Sequence, residues 1–240
     1  MQRLGLLLLF LAGVSFAQDT IPPGTILPVQ LTTSIDSQKS KAGQSITGRI
    51  MQDVPLSDGT RIRAGSKVLG RVIAAGKATS TSGAEISVRF DTLKFAHKEI
   101  PIKTALRALA SMMAVEDAQL PETGPDRGTP PSSWTTDQIG GDVVYRGGGP
   151  VAHGLETVGK PVPGGVLVVP KYGAACGRAP EASDRSQALW VFSAGACGVF
   201  NLPGIAISET GREDAAGFII LQGQKDVKLR SGSGLLLIVR

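Results

Sequence analysis

The stretch Ile62-Arg-Ala-Gly-Ser-Lys-Val-Leu-Gly-Arg-Val72 predicts how the chain folds. Ile62 comes three positions before Gly65, Ser66 follows the glycine, and from Val68 to Val72 small or apolar residues occupy every second position. Glycine readily adopts the positive φ of a tight turn, a serine hydroxyl can bond a turn amide, and alternation is typical of a strand. The stretch therefore predicts a tight turn, pinned to the core by Ile62, that leads into a β-strand.

The same arrangement occurs twice more, in residues 21–31 and in residues 229–239. In both, an apolar residue precedes a glycine by three positions, and a hydroxyl residue and an apolar strand pattern follow. The later copy has a broader apolar run, and chance similarity among glycine-rich hairpins is the alternative explanation. The predicted turn residues are Gly24 and Thr25, Gly65 and Ser66, and Gly232 and Ser233.

Composition and patterning together predict a mainly β fold. The 31 glycines and 15 prolines indicate many turns and few long helices. For residues 105–118 we favour a strand to about Leu109 followed by a short helix or loop, and a helix is the alternative. The predicted fold is a small β-barrel or sandwich with a hairpin-rich topology and a Gly/Pro-rich insertion. Its other strands are predicted at residues 45–51, 85–95, 99–109, 165–169, 188–193, 217–221 and 235–239.

The first seventeen residues are typical of a cleavable secretory signal. Arg3 precedes an apolar run from Leu4 to Phe16, and small residues, Ser15 and Ala17, stand where a signal peptidase reads. A membrane anchor is the alternative, but a span needs about 20 apolar residues, and this run is shorter. We expect cleavage after Ala17, a periplasmic or secreted protein, and no transmembrane span after cleavage.

Two cysteines, Cys176 and Cys197, are present. An even cysteine count in an exported chain favours a disulfide, which would close a loop of about 20 residues and contribute on the order of 3 kcal/mol. The rival is a metal site with His97 and His153, the two histidines. These four residues lack the short paired spacing of a zinc site, so we predict a disulfide and no metal.

Sequence motifs give no support to an enzyme or a cofactor site. The segment Gly154-Leu-Glu-Thr-Val-Gly-Lys-Pro161 nearly matches a phosphate-binding loop, but Pro161 stands where a magnesium-binding hydroxyl is needed. Ser193 lacks the first glycine of a hydrolase elbow, and nothing in the sequence positions His97 or His153 beside it. We therefore predict no catalytic residues, and an exported hydrolase is the least favoured alternative.

The two tryptophans differ in their surroundings. Trp190 lies in the apolar stretch 188–193, where aromatic strand residues usually pack inward. Trp134 lies in a polar, Gly/Pro-rich stretch and is the better candidate for an exposed contact. The formal net charge of +5 comes from scattered basic residues, which favours an anionic envelope polymer over nucleic acid as a partner.

Residues 21–37, 41–54 and 61–72 resemble the start of the C-terminal barrel domain of TrbI-like proteins of type IV secretion channels. The likeness covers residues 21–106, and its most specific part is the pair of Gly-Ser/Thr turns separated by Asp53-Val54. The same pattern is similar to exported proteins of soil bacteria. The resemblance implies a small β-barrel within a ring that links two membranes. Members of the channel family keep an uncleaved membrane helix and a long proline-rich arm, which this sequence lacks.

These observations predict four segments. Residues 1–17 form a signal peptide, residues 18–112 a TrbI-like β-barrel segment, and residues 113–150 a Gly/Pro-rich linker or insertion. Residues 151–240 form a C-terminal β region with the disulfide, and its last strand returns to the barrel. We expect a non-enzymatic module for envelope assembly or protein binding, partnered by an envelope protein or by a second copy of the chain. A surface polysaccharide-binding module is the alternative.

Overall fold

The structure is a computed structural model that describes residues 20–122, 127–172, 176, 184–208 and 217–240. The predicted signal peptide lies outside the described residues. The chain is mainly β, as predicted, and its strands form two large sheets and two short hairpin-like pairs. The short pairs join β2 (Ile35–Asp36) to β19 (Lys228–Leu229), and β4 (Val54–Pro55) to β5 (Arg61–Ile62).

The first sheet has ten strands, in the order β16-β9-β20-β1-β3-β6-β7-β18-β17, with β8 also paired to β7. Its ladders are antiparallel except that between β16 and β9. The strands are β1 (Ile26–Leu31), β3 (Ser45–Ile50), β6 (Lys67–Gly76), β7 (Ala84–Phe95), β8 (Lys98–Pro101), β9 (Thr104–Ala110), β16 (Gly198–Phe200), β17 (Ile205–Ile207), β18 (Ile219–Gly223) and β20 (Gly234–Val239).

The first sheet does not close into a barrel. Its two end strands, β16 and β17, are joined by a short turn at residues 201–204, but no ladder in the described part of the chain pairs them. Of the two predicted alternatives, the open sheets fit a sandwich rather than a barrel. The strand β20 lies between β1 and β9, so the C-terminal strand returns to the sheet of the N-terminal ones.

The three predicted turns share one geometry. Gly24, Gly65 and Gly232 have φ angles of 82°, 89° and 96°, and a glycine with positive φ at the third position is typical of a type II turn. In each turn, the N–H of the next residue donates to the carbonyl three residues earlier. These bonds are Thr25 to Pro22 (3.2 Å), Ser66 to Arg63 (3.1 Å) and Ser233 to Arg230 (3.1 Å).

Each turn is also fastened to the end of a neighbouring strand. The N–H of Gly65 donates to the carbonyl of Ile50 (2.7 Å), and the N–H of Ile50 donates to the carbonyl of Ser66 (2.9 Å). The same two-way bonding joins Gly24 and Thr25 to Val239, and Gly232 and Ser233 to Leu31. The turns thus fix the start of one strand against the end of its partner.

A fourth turn of the same kind was not predicted as a copy. Gly43 has a φ of 83°, and the N–H of Gln44 donates to the carbonyl of Lys41 (3.0 Å). Gly43 and Gln44 exchange backbone bonds of 2.9 Å with Val72. Sequence reasoning missed this copy because Ser40 stands in the apolar position and Gln44 in the hydroxyl position.

The four turns work in two pairs. Gly24 and Gly232 close opposite ends of the β1–β20 ladder, and Gly43 and Gly65 close opposite ends of the β3–β6 ladder. Each ladder therefore carries the same turn at both ends. This arrangement sets the register of the four central strands by local backbone bonds, because a ladder fixed at both ends cannot slip by one residue.

The second sheet is a six-stranded antiparallel meander in sequence order. It includes residues from the segment 113–150, which was predicted to be a Gly/Pro-rich linker or insertion, and the described part of that segment supplies the first two strands of this sheet. The Gly-rich runs at residues 140–141 and 147–149 lie in the turns between short strands, whose apolar residues, such as Val144, are buried. The strands are β10 (Thr135–Asp137), β11 (Val143–Tyr145), β12 (Val151–His153), β13 (Glu156–Val162), β14 (Gly165–Val168) and β15 (Gln187–Ala188).

Short helical segments accompany the sheets in the described part of the chain. The helix α1 (Met112–Asp117) follows β9 directly, so the stretch 105–118 is a strand and then a helix. Ser111 caps α1 by accepting a hydrogen bond from the N–H of Ala114 (3.1 Å). A 3-10 helix spans Pro131–Ser133. In the described part of the chain, no helix has the length and apolar character required to cross a membrane.

The strand β20 is buried on both faces. Leu235 and Leu237 belong to the apolar core that the first sheet encloses, whereas Leu236 and Ile238 belong to a second core between the two sheets. A strand covered on both sides reads as a continuous apolar run. This double burial explains why the third turn-and-strand copy has a broader apolar run than the other two.

Candidate functional site

The buried side chain of Gln52 joins the two sheets. Its Nε2 donates to the carbonyl of Val166 (2.7 Å), and its Oε1 accepts from the N–H groups of Val166 (3.1 Å) and Trp190 (2.8 Å). Gln52 lies two residues after β3 and Val166 lies in β14. A buried amide side chain is stable only when its polar atoms are hydrogen-bonded. The three bonds of Gln52 therefore fix β14 and the turn at Trp190 against the end of β3.

Trp190 lies in a strained turn rather than in a strand. The strand predicted at residues 188–193 ends at Ala188, because the N–H of Phe192 folds back to the carbonyl of Leu189 (2.9 Å). Trp190 is 2% exposed and has a φ of 55°, a conformation that costs a bulky residue about 1–3 kcal/mol. Strain of this kind is concentrated at functional sites, so the surroundings of Trp190 are a candidate functional site.

Trp134, the predicted exposed contact, is half-buried and faces the same region. It follows the 3-10 helix, and its Nε1 donates to the carbonyl of Thr129 (2.9 Å). Its own carbonyl accepts from the N–H of Arg146 (3.0 Å). The indole is therefore held by a hydrogen bond to its own loop, and the backbone of Trp134 is bonded to that of Arg146.

A cleft of about 560 Å³ lies between the 3-10 helix and the turn that joins β13 to β14. The structure brings the two tryptophans, which are far apart in the sequence, to this one cleft. The remaining walls are formed by three prolines, one cation and several small, apolar or neutral polar residues. The residues that define this tryptophan cleft are Trp134, Trp190, Pro131, Pro161, Pro163 and Arg146.

Arg146 is the charged group of the tryptophan cleft. Burial lowers the pKa of its guanidinium, and its side chain makes one long hydrogen bond, from Nη1 to the carbonyl of Gly165 (3.4 Å). Among the described residues, no carboxylate lies within ion-pair distance of Arg146. A half-buried charge without a counter-charge is unfavourable, so the cleft is suited to an anionic group.

The structure brings Ser193, His153 and Asp142 near one another, but not as a hydrolase triad. The buried Asp142 accepts from Nδ1 of His153 (2.9 Å) through Oδ1 and from the N–H of Ala194 (2.6 Å) through Oδ2. The Oγ of Ser193 is buried and has no hydrogen-bond partner. A nucleophile must be bonded to its base and be open to substrate; Ser193 is neither. His97 lies in the turn between β7 and β8.

The predicted disulfide is confirmed. Cys176 and Cys197 are bonded, with 5.1 Å between their Cα atoms. Nearby, the buried Arg107 of β9 donates to the carbonyls of three residues of this region, and burial lowers the pKa of its guanidinium. Arg107 was not singled out in the sequence. Its three acceptors are Lys171 (2.7 Å), Ala194 (2.9 Å) and Ala196 (3.1 Å).

The near match to a phosphate-binding loop, Gly154–Pro161, forms the β12–β13 turn and most of β13. A phosphate loop must lead into a helix, and this segment leads into a strand. Within the described ranges, no group of three or more His, Cys, Asp or Glu side chains is arranged to hold a metal ion.

The comparisons with known proteins give no family. No protein-family model matches the chain, and no curated protein matches it significantly. The resemblance of residues 21–106 to the TrbI-like barrel therefore stays a prediction.

Proposed function

We propose that this chain is an exported, non-enzymatic binding module of the cell envelope, and that an extended segment of a partner protein binds in the tryptophan cleft. The observation that carries this proposal is the cleft's lining: two tryptophans from distant parts of the chain, one of them in a strained backbone conformation, together with three prolines. Strain is retained where the surrounding structure over-determines a conformation, and here Gln52 holds the strained turn.

An extended protein segment fits this lining better than a folded surface. Extended and polyproline segments are recognised in grooves lined by aromatic side chains, because they are already ordered and lose little entropy on binding. A sugar polymer stacks its rings on open aromatic faces. Trp190 is buried and Trp134 is half-exposed, so the cleft offers one partly open indole, which suits a single anchoring side chain of a peptide. A surface polysaccharide remains the second candidate because of the cation Arg146.

The envelope location is part of the proposal. It is supported by the signal-like first seventeen residues and by the Cys176–Cys197 disulfide, since disulfides persist in oxidising compartments. The TrbI-like pattern of residues 21–106 agrees with a role in assembly at the envelope. The buried position of Ser193, without a bond to His153, supports a binding role over hydrolysis.

A peptide library displayed on phage tests the proposal. Selected peptides are titrated by tryptophan fluorescence against the wild type and against Trp134→Ala, and we expect affinity to fall about tenfold or more in the variant, as for an aromatic anchor. Leu155→Ala is the matched control, because Leu155 is fully exposed at a hairpin tip outside the cleft. A glycan array is run in parallel.

The outcomes separate the candidates. Peptides whose affinity depends on Trp134 but not on Leu155 support the proposal. Peptides that bind the Trp134 variant as tightly as the wild type overturn it, because the cleft is then not their site. Glycan binding without any enriched peptide also overturns it and supports the polysaccharide alternative.

A further inference from the structure

Among the described residues, no acidic side chain balances the charge inside the tryptophan cleft. Burial lowers the pKa of Arg146. The one side-chain hydrogen bond that Arg146 makes within the described residues, to the carbonyl of Gly165, is long, at 3.4 Å. An arginine has five N–H donors in a planar fork that matches a carboxylate. Most of the donor capacity of Arg146 is therefore unused in the described structure.

A neighbouring cleft gives an internal comparison. It has a volume of about 500 Å³ and shares Val162, Pro163 and Gly164 with the tryptophan cleft, so the two lie on either side of the β13–β14 turn. It also contains an arginine, Arg61, but Asp53 lies 3.4 Å from its Nη1. Each of the two clefts thus carries an arginine. Asp53 neutralises Arg61, whereas Arg146 has no carboxylate partner among the described residues.

We infer that the segment bound in the tryptophan cleft carries a carboxylate, and that Arg146 binds it. This inference rests on the proposed function. A carboxylate supplies the counter-charge that the cleft lacks, and a bidentate pair with a half-buried guanidinium is stronger than one in open solvent. An uncharged segment leaves the cation further desolvated without compensation, which opposes binding. The ligand is accordingly an extended acidic segment rather than a neutral proline-rich one.

Parallel selections from the same library test this inference. A library of random linear peptides is selected against the wild type, Arg146→Gln, Arg146→Lys and Arg61→Gln. We expect Asp or Glu to be enriched at one position among wild-type binders. Exchange of that acid for its amide should lower affinity about tenfold or more, the size of a lost charge-assisted hydrogen bond.

The variants separate charge from folding. Arg146→Gln should lose the acidic preference, whereas Arg146→Lys should retain it at reduced strength because the charge remains. Arg61→Gln is the matched control in the neighbouring cleft and should retain the full preference, because Asp53 already neutralises Arg61. An acidic preference that is unchanged in Arg146→Gln overturns the inference.

Failure of this inference is distinguishable from failure of the proposed function. Wild-type binders that depend on Trp134 but show no acidic preference overturn the inference and leave the proposed function standing. The absence of any Trp134-dependent peptide overturns both. Polygalacturonate, a carboxylated polysaccharide, is titrated as well. Binding of this polymer that depends on Arg146, without enriched peptides, overturns the peptide assignment in favour of a sugar.

Discussion

The first sheet and the second sheet are held together by different means. In the first sheet, β1, β3, β6 and β20 carry four turns of one geometry and enclose an apolar core. The second sheet has shorter strands, and the region around it buries several polar side chains, which are Thr136, Gln138, Asp142, Gln187 and Ser193. Three of these have buried polar atoms without a hydrogen-bond partner, namely Thr136, Gln138 and Ser193.

This difference separates a framework from a site. Repeated backbone turns and alternating apolar residues fix the arrangement of the central strands in the first sheet and leave few alternatives. The second sheet packs on the first through the second apolar core and is further fastened by a few buried polar contacts, chiefly those of Gln52 and Arg107. It carries the tryptophan cleft. Buried polar groups are costly when unsatisfied, so the second sheet should be the less stable part and the first to lose its structure.

The largest effect is expected where the two sheets meet. Gln52→Ala removes the partner of three backbone groups, the N–H and carbonyl of Val166 and the N–H of Trp190. Each buried group left unsatisfied costs about 1–3 kcal/mol, so we expect a loss on the order of 4 kcal/mol. Urea unfolding measures it, and tryptophan emission should shift to the red at lower urea than the far-UV signal of the first sheet changes.

Gln222→Ala is the control for this prediction. Gln222 is an exposed glutamine of β18 whose Nε2 donates to Glu85 (2.9 Å), and its loss should change the free energy of unfolding by less than about 0.5 kcal/mol. Equal effects of the two substitutions would mean that Gln52 does not join the sheets.

Removal of the disulfide should have the next largest effect. Cys197 directly precedes β16 of the first sheet, whereas Cys176 lies beyond β14 of the second. The Cys176→Ser, Cys197→Ser double variant should lose about 3 kcal/mol, mainly because its unfolded state is less restricted. Reduction of the wild type should reproduce this loss in denaturant unfolding. The double variant should not respond to reductant, and a response would point to another cause.

Exchange of a turn glycine for alanine is expected to lower the free energy of unfolding by a smaller amount, which should be nearly equal at Gly43 and Gly65. Gly43→Ala and Gly65→Ala introduce no close contact, so each should cost about 1–2 kcal/mol from the positive φ alone. Gly232→Ala should cost more, because its Cβ would lie 2.6 Å from the Cγ of Met112. Thermal and urea unfolding measure the series.

Gly195→Ala is the matched control for the glycine series. A Cβ at Gly195 meets nothing within 4 Å, and its φ is not in the left-handed range, so the alanine should be neutral or slightly stabilising. Widely different losses at Gly43 and Gly65 would show that the two turns are not equivalent.

The two regions also differ in how far the sequence predicts them. The turns at Gly24, Gly65 and Gly232 follow from local patterns, since a positive φ and a strand alternation are both properties of neighbouring residues. The copy at Gly43 was not predicted, because the backbone, rather than the side chains, defines the turn. The strand order, the open sheet and the covering of β20 on both faces depend on long-range packing.

The cleft could not be predicted from local patterns. Trp134 was singled out in the sequence, but its neighbour across the cleft, Trp190, was assigned to a strand. The turn that places Trp190 there depends on Gln52, which is 138 residues away in the sequence. The role proposed for Arg146 rests on its burial and on the absence of an acid among the described residues near it. Neither property can be read from the residues that flank it.

The smallest expected effect on the free energy of unfolding concerns the backbone N–H of the second residue in each type II turn. In the Gly65 turn, the N–H of Ala64 donates to Oδ1 of Asp53 (2.9 Å), and in the Gly232 turn the N–H of Ser231 donates to Oγ of Ser34 (3.0 Å). The Gly24 turn has Pro23 at this position, which lacks an N–H. A side-chain acceptor therefore serves this amide in two turns, once as a charged group and once as a neutral one.

The pH dependence of the free energy of unfolding distinguishes the two acceptors, Asp53 and Ser34. The hydrogen bond from Ala64 lowers the pKa of Asp53 below its ordinary value of 3.8, and Arg63 and Arg61 lower it further. A lowered pKa in the folded state stabilises the protein above the unfolded-state pKa, and this contribution is lost as the pH falls. Asp53→Asn should thus cost less than about 1 kcal/mol at pH 7, as for exposed charges, and nearly nothing well below pH 3.8. Ser34→Ala should cost a similar amount at both pH values, because a hydroxyl does not titrate. Urea unfolding at neutral and acidic pH compares the two variants, and a Ser34 variant that showed the same pH dependence as Asp53→Asn would remove the charge from the explanation.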